Sequence, residues 1–100
     1  MTIDGLHVPI TRCPRSEMPD GAHGEFLSSP APHIRLADDL DLATPWGRRV
    51  LLHEWVHAVL YLKGASCDDP SQEEAVCDAL STAIQARGWS LDRHDTKAAP

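Results

Sequence analysis

The stretch VLLHEWVHAVLYLKG, residues 50–64, constrains the fold more than any other part of the chain. It contains no proline and no glycine before Gly64, and apolar side chains fall on both sides of a helix drawn through it. A helix that is apolar on both sides is buried on both sides. We therefore predict a helix over about residues 45–63, with Thr44 as N-cap and Pro45 at the first helical position, packed between other elements.

Residues before this helix are predicted to supply the layer that covers one of its faces. Three short segments, LHVPI, GEFL and HIRLA, have extended character and are separated by stretches rich in Pro, Gly, Asp and Ser. We expect a small antiparallel sheet of about three strands within residues 6–37, and HIRLA is a candidate edge strand.

A second helix is predicted to cover the opposite face. It runs over about residues 70–87, with Asp69 or Ser71 as its cap and Gly88 as its stop. With 100 residues and 42% hydrophobic content, the chain has room for one core. We predict a single α+β domain over residues 1–100, in which the sheet packs on the apolar helix and the second helix follows.

Composition and charge argue against two classes of partner. The net charge of -6 and the pI near 5.3 disfavour nucleic acid, because Arg48 and Arg49 are the only adjacent basic pair. No apolar run reaches the roughly 18–20 residues of a membrane span, and the N-terminal stretch lacks the layout of a signal peptide. Cys13, Cys67 and Cys77 are an odd number without CxxC spacing, which indicates reduced thiols. We expect a cytoplasmic protein that binds neither nucleic acid nor membrane.

The apolar helix carries an H-E-x-x-H motif at His53, Glu54 and His57. Imidazoles at i and i+4 lie on one helix face within reach of one metal ion, and the intervening glutamate is turned by about 100° toward the open side of that ion. Burying such groups costs free energy unless they are paired or bind a metal. The motif therefore predicts one zinc ion per chain, bound by His53 and His57, with Glu54 as the catalytic carboxylate.

Catalytic zinc usually has three protein ligands, so a third donor is expected from the second helix. Glu74 and Asp78 are one turn apart there, so one carboxylate can bind the metal while the other orients a ligand imidazole. Glu73 is the alternative ligand because it lies nearer the middle of the apolar stripe. A capping box from Ser71 would occupy Glu74, whereas a cap at Asp69 would free it. The residues by themselves leave Glu73 and Glu74 open.

HEWVH followed after a short loop by EAVCDAL resembles the paired helices of the gluzincin, thermolysin-type metallopeptidases. In that family the second motif has a ligand Glu, then an Ala, and an Asp four residues after the Glu. The resemblance implies Glu74 as the third zinc ligand and Asp78 as its neighbour in the outer shell. GEF, PHIRLADDL and LLHEWVHAVLY also resemble small phage and prophage metallopeptidases and the minimal core of the peptidases that cleave phage repressors.

The function implied by this resemblance is hydrolysis of peptide bonds in a protein or peptide substrate, with Glu54 as general base. A phage structural or regulatory protein is the implied partner. The alternative is a non-catalytic, zinc-stabilised phage or virion component, or a peptide-binding adaptor, which the small size of the chain suggests. The donor that stabilises the oxyanion is open among His33, Tyr61 and His94.

Overall fold

The computed structural model describes residues 5–88 and the backbone of the strand Thr2–Ile3. Its elements, in chain order, are the strands β1 (Thr2–Ile3), β2 (Leu6–His7) and β3 (Ile10–Cys13), the short turns of 3₁₀ helix Arg15–Glu17 and Pro19–Gly21, the strands β4 (Gly24–Leu27) and β5 (His33–Ala37), and the helices α1 (Pro45–Leu62) and α2 (Pro70–Ala86).

The predicted α+β class is confirmed, with a three-stranded sheet and two helices. The strand order is β3-β5-β4, and β4 pairs antiparallel with β5 as expected. However, β3 pairs parallel with β5, so the sheet is mixed and not wholly antiparallel. The chain reverses direction before β4 and again before β5, which leaves β3 and β5 pointing the same way. Because β5 is the most buried of the three strands, it takes the central place.

Two details of the sheet differ from the sequence prediction. The segment LHVPI does not form one strand: Leu6–His7 pairs with Thr2–Ile3 in a small hairpin, and the sheet begins only at Ile10. Pro9 lies at this break, since proline has no N–H to donate to a ladder. HIRLA is not an edge strand, because β5 is paired on both sides.

α1 lies between the sheet and α2, and it contacts β4, β5 and α2. Its ends are set by the residues predicted for them. Thr44 Oγ1 accepts a hydrogen bond from the Gly47 N–H at 3.0 Å. At the other end Gly64 has a φ of +69°, and the Ala65 N–H donates to the Leu60 carbonyl at 2.8 Å, which is a glycine C-cap of the Schellman type. The core between α1 and the sheet contains Val8, Ile34, Leu36, Leu40, Leu51, Leu52 and Ala58.

The N-terminal register of α2 determines which glutamate is available for a metal. Asp69 is the cap, and its Oδ1 accepts from the Ser71 N–H at 3.0 Å and from the Ser71 hydroxyl at 2.8 Å. Asp69, and not Ser71, is thus the N-cap, so Glu74 is not engaged in a capping box with Ser71. The covered face of α2 contains the buried Cys77 and Ser81. No helix in the described part of the chain has the length and apolar content needed to cross a membrane.

Candidate metal centre

Three predicted ligands converge where α1 and α2 pack together. The ring nitrogens of His53 and His57 and a carboxylate oxygen of Glu74 all lie within 4.8 Å of one another. His53 Nε2 lies 3.2 Å from Glu74 Oε2, and His57 Nε2 lies 2.6 Å from Glu74 Oε1. The structure thus places Glu74, and not Glu73, against the Nε2 atoms of both histidines.

This donor set fits a zinc ion. Tetrahedral zinc with bonds of about 2.0–2.1 Å to N and O ligands holds those ligands roughly 3.3 Å apart. The separation of 3.2 Å between His53 Nε2 and Glu74 Oε2 matches that spacing, and the separation of 2.6 Å at His57 is that of a hydrogen bond. Glu74 is 62% exposed, whereas His53 and His57 are 17% and 13% exposed. The two imidazoles are therefore held by packing, and the carboxylate closes the site from the solvent side.

Glu73 orients His57 from the opposite side of the ring. Its Oε2 lies 2.6 Å from His57 Nδ1, and its Oε1 accepts a hydrogen bond from the Cys67 N–H at 2.9 Å. A carboxylate at Nδ1 keeps the proton on that nitrogen and leaves Nε2 available to a metal. Sequence reasoning assigned the orienting role to Asp78 alone and considered Glu73 only as a ligand. The sequence signal for this role was the adjacent pair Glu73 and Glu74. Glu73 contacts Nδ1 of His57, and Glu74 contacts Nε2 of the same ring.

The electrostatics of this group favour a cation at His57. Burial lowers the pKa of His57, but its hydrogen bond to Glu73, the charge of Glu54 and its hydrogen bond to Glu74 raise that pKa above the usual value overall. Burial raises the pKa of Glu73, yet the hydrogen bonds from His57 and from the Cys67 backbone outweigh it and lower the pKa. Glu73 therefore remains a carboxylate beside the ring.

Glu54 is the buried carboxyl group of the site, with 8% of its surface exposed. Burial is the main cause that raises its pKa to about 7, and the charge of Glu74 adds to this effect. The charge of His57 and a backbone hydrogen bond from Phe26 oppose the rise. Since Phe26 belongs to β4, the carboxyl group lies between α1 and the outermost strand on that side of the sheet.

Gly24 allows β4 to approach Glu54. A Cβ at this position would lie 3.0 Å from Val50 Cγ1 and 3.3 Å from Glu54 Cγ, which is closer than side chains normally pack. A side chain here would force the neighbouring side chains to shift by a few tenths of an ångström, so glycine suits the close approach of the strand to the helix. The edge of β4 is therefore the strand edge nearest to the site.

Asp78 lies one turn beyond Glu74, and it lines a cavity together with His53 and Glu54. A hydrogen bond from Asp78 to a ligand histidine stays a prediction. Among the described residues, the carboxylate that contacts the far nitrogen of a ligand ring is that of Glu73.

The structure describes two of the three candidates for oxyanion stabilisation, His33 and Tyr61. His33 directs Nδ1 to the Ala31 carbonyl at 2.7 Å. Tyr61 packs against Phe26 with ring centroids 5.7 Å apart, one turn after His57. His94 lies outside the described residues. His23, for which the sequence offered no signal, lines the same cavity as His53 and Glu54.

A second set of donors shares His57 with the first. His57, Glu73 and Cys77 also have ligand atoms within 4.8 Å of one another. Cys77 is fully buried, and burial raises the pKa of its thiol to about 12. Because the contact between Glu73 and His57 is already a close hydrogen bond, we interpret this set as the outer shell of the first site.

Comparison with protein-family models, with curated proteins and with solved structures found no match to this chain.

Proposed function

We propose that this protein is a zinc-dependent metallopeptidase that hydrolyses peptide bonds in a protein or peptide substrate. The observation that carries the proposal is the convergence of His53, His57 and Glu74 within 4.8 Å beside the buried carboxyl group of Glu54. Two imidazoles and one carboxylate are the ligand set of catalytic zinc with an open fourth position.

His53, His57 and Glu74 would hold the ion, and Glu73 would fix the ring of His57. When bound, zinc supplies Lewis acidity, which polarises a carbonyl oxygen and acidifies water. Glu54 accepts the proton of the attacking water and returns it to the leaving amine. Its raised pKa favours both steps near neutral pH, although a dication at the three ligands would lower that pKa.

The substrate would bind as an extended segment along β4. This strand is at the edge of the three-stranded sheet, and Gly24 and Phe26 bring its backbone to Glu54. Extended peptides commonly bind to exposed sheet edges through main-chain hydrogen bonds. β4 thus takes the role that the sequence suggested for HIRLA. We place the activity in the cytoplasm, which the three free thiols of the chain support.

The proposal is tested with the full chain loaded with zinc and with its Glu54→Gln variant, both incubated with a mixed peptide pool. We expect one zinc per chain in both proteins and loss of nearly all turnover in the variant, because the amide cannot accept a proton. His57→Ala should lose zinc as well as turnover. Cleavage by the variant at the parent rate would refute the role of Glu54. Zinc binding by the parent without cleavage of any peptide would favour the non-catalytic alternative.

A further inference from the structure

One side of α2 is both exposed and apolar. Val76 and Leu80 lie one turn apart on it and are 38% and 43% exposed. The smaller Ala79 and Ala83 continue the same side and are also exposed. The exposed side of a helix is normally polar, and large apolar side chains grouped there indicate a surface that binds another protein. We call the surface formed by Val76, Ala79, Leu80 and Ala83 the apolar α2 face.

The charge of the protein limits which of its surfaces can meet a second copy. With a net charge of -6, two copies repel each other unless the surfaces that meet lack acidic groups. The apolar α2 face contains no charged residue. At 100° per residue, Glu74 and Asp78 each lie about 100° or more around the helix from every member of this face. Two copies can therefore approach through the face without bringing these carboxylates together.

The two ends of α2 have opposite charges. Asp68 and the cap Asp69 precede the helix, and Arg87 follows its last residue. Asp68 and Arg87 are exposed, and neither side chain has a hydrogen bond or ion pair to another residue within 5–88. A helix with acid at one end and base at the other is complementary to a copy of itself that runs in the opposite direction. This self-complementarity favours a second copy of the chain over an unrelated partner.

We propose that the protein forms a homodimer through the apolar α2 face, with the two α2 helices antiparallel about a two-fold axis near Ala79 and Leu80. In this arrangement Val76 packs against Ala83 of the second copy, and Arg87 points toward Asp68 and Asp69 of that copy. The inference does not depend on the proposed peptidase function.

The size of the face sets the expected strength of the dimer. α2 has 17 residues and is therefore about 25 Å long. The small side chains of Ala79 and Ala83 allow the two helix axes to approach to about 8 Å. A single helix face of this length is smaller than the roughly 800 Å² per partner of a standard stable interface. We therefore expect a dimer that dissociates on dilution, with a Kd in the micromolar range.

Sedimentation equilibrium of the full chain, from about 1 to 500 µM, measures this Kd. Leu80→Glu places like charges at the centre of the interface and should raise the Kd at least about 100-fold. Leu6→Glu is the matched control, because Leu6 is an exposed leucine on β2, at 47% exposure, and receives the same charge outside the face. It should leave the Kd within about twofold. Circular dichroism establishes that both variants fold.

Cross-linking tests the antiparallel arrangement. Ala79→Cys and Gln72→Cys are each made in a chain whose partly exposed Cys13 and Cys67 are replaced by serine, and are treated with a bismaleimide of about 8 Å reach. Ala79→Cys lies near the axis and should join the two copies. Gln72→Cys should not, because antiparallel pairing separates the two copies of this residue by about 22 Å along the helices.

Three results would overturn the proposal: a parent chain that stays monomeric at about 500 µM, an unchanged Kd in Leu80→Glu, or cross-linking of Gln72→Cys as complete as that of Ala79→Cys. A monomeric parent that Leu80→Glu destabilises toward urea would mean that another segment of the same chain covers the face, and the proposal would fail in that case as well. None of these measurements uses turnover, so the dimer and the peptidase can fail separately.

Discussion

At the scale of single residues, the proposed general base Glu54 lowers the stability of the metal-free fold, because its carboxyl group is buried. In the folded chain its pKa is raised from 4.5 to about 7, mainly by burial. The folded state therefore holds a proton that the unfolded chain releases between pH 4.5 and 7, and stability falls as the pH rises through this window. The carboxyl group that we propose as general base thus weakens the metal-free fold at neutral pH.

Glu54→Gln should accordingly stabilise the metal-free protein at pH 8 by up to roughly 3 kcal/mol and have little effect near pH 4.5. Urea unfolding in the presence of a chelator, at both pH values, measures this difference. Glu17→Gln, at an exposed position, serves as the control and should change little at either pH. An equal effect of Glu54→Gln at both pH values would contradict the assigned burial penalty.

Glu73 offers a second prediction, because it holds His57 without facing the predicted ion. Glu73→Ala removes the partner of Nδ1, so the ring can rotate and change tautomer. We expect zinc affinity to fall by roughly 10- to 100-fold, measured by competition with a chelator of known affinity. Glu74→Ala, which removes the proposed ligand, should reduce affinity further. If Glu73→Ala were the more damaging variant, Glu73 would be the ligand.

Asp78→Asn tests whether a second carboxylate supports the site from the outer shell. Asp78 lines the same cavity as His53, and orientation of that ring by its carboxylate would make the variant weaken zinc affinity by roughly 10- to 100-fold. The same competition assay applies. Unchanged affinity would mean that Asp78 lines the cavity without supporting the metal site.

At the scale of elements, the cap of α2 connects helix stability to the ligand set. Asp69 accepts hydrogen bonds from the N–H and hydroxyl of Ser71, and the resulting register places Glu73 and Glu74 toward α1. Asp69→Ala should lower the free energy of unfolding, because the cap is lost, and should also weaken zinc binding. Asp68→Ala, at the exposed position immediately before it, is the matched control. Loss of stability with unchanged zinc affinity would separate the cap from the site.

The elements also show which features the sequence could predict. Both helices were predictable within a residue or two, because Thr44, Gly64 and Asp69 act locally on the backbone next to them. The strand pairing was not, since it depends on which strand is central, and neither Pro9 nor HIRLA signals that by itself.

Some residues of the site were likewise predictable from the sequence, and others were not. His53 and His57 follow from a spacing within one helix, whereas the placement of Glu73 and Glu74 depends on how α2 rotates against α1. The register set by the cap restricts that rotation but does not specify it. His23 is distant in sequence from both helices, so only the sheet brings it to the cavity.

At the scale of the whole molecule, the proposed ion joins α1 to α2 and should stabilise the entire fold. A ligand that binds only the folded state stabilises it by RT ln(1 + [L]/Kd), which is about 2.7 kcal/mol at 100 times Kd. In the metal-free chain the junction is held by the contacts of Glu74 with His53 and His57 together with those of Glu73 with His57 and of Arg49 with Thr82 and Gln85. The effect of zinc can be followed at one buried atom next to the junction, the thiol of Cys77.

Cys77 is fully buried, and its pKa is raised to about 12, so it should react with a thiol reagent only after the fold opens. Cys13 and Cys67 are partly exposed and should react first in the folded chain. Zinc at 100 times Kd should slow labelling of Cys77 by roughly 100-fold if opening requires release of the ion. Mass spectrometry of each modified cysteine over time measures this, with Cys13 as the internal control. Labelling of Cys77 that is rapid or independent of zinc would mean that the ion does not hold the two helices together.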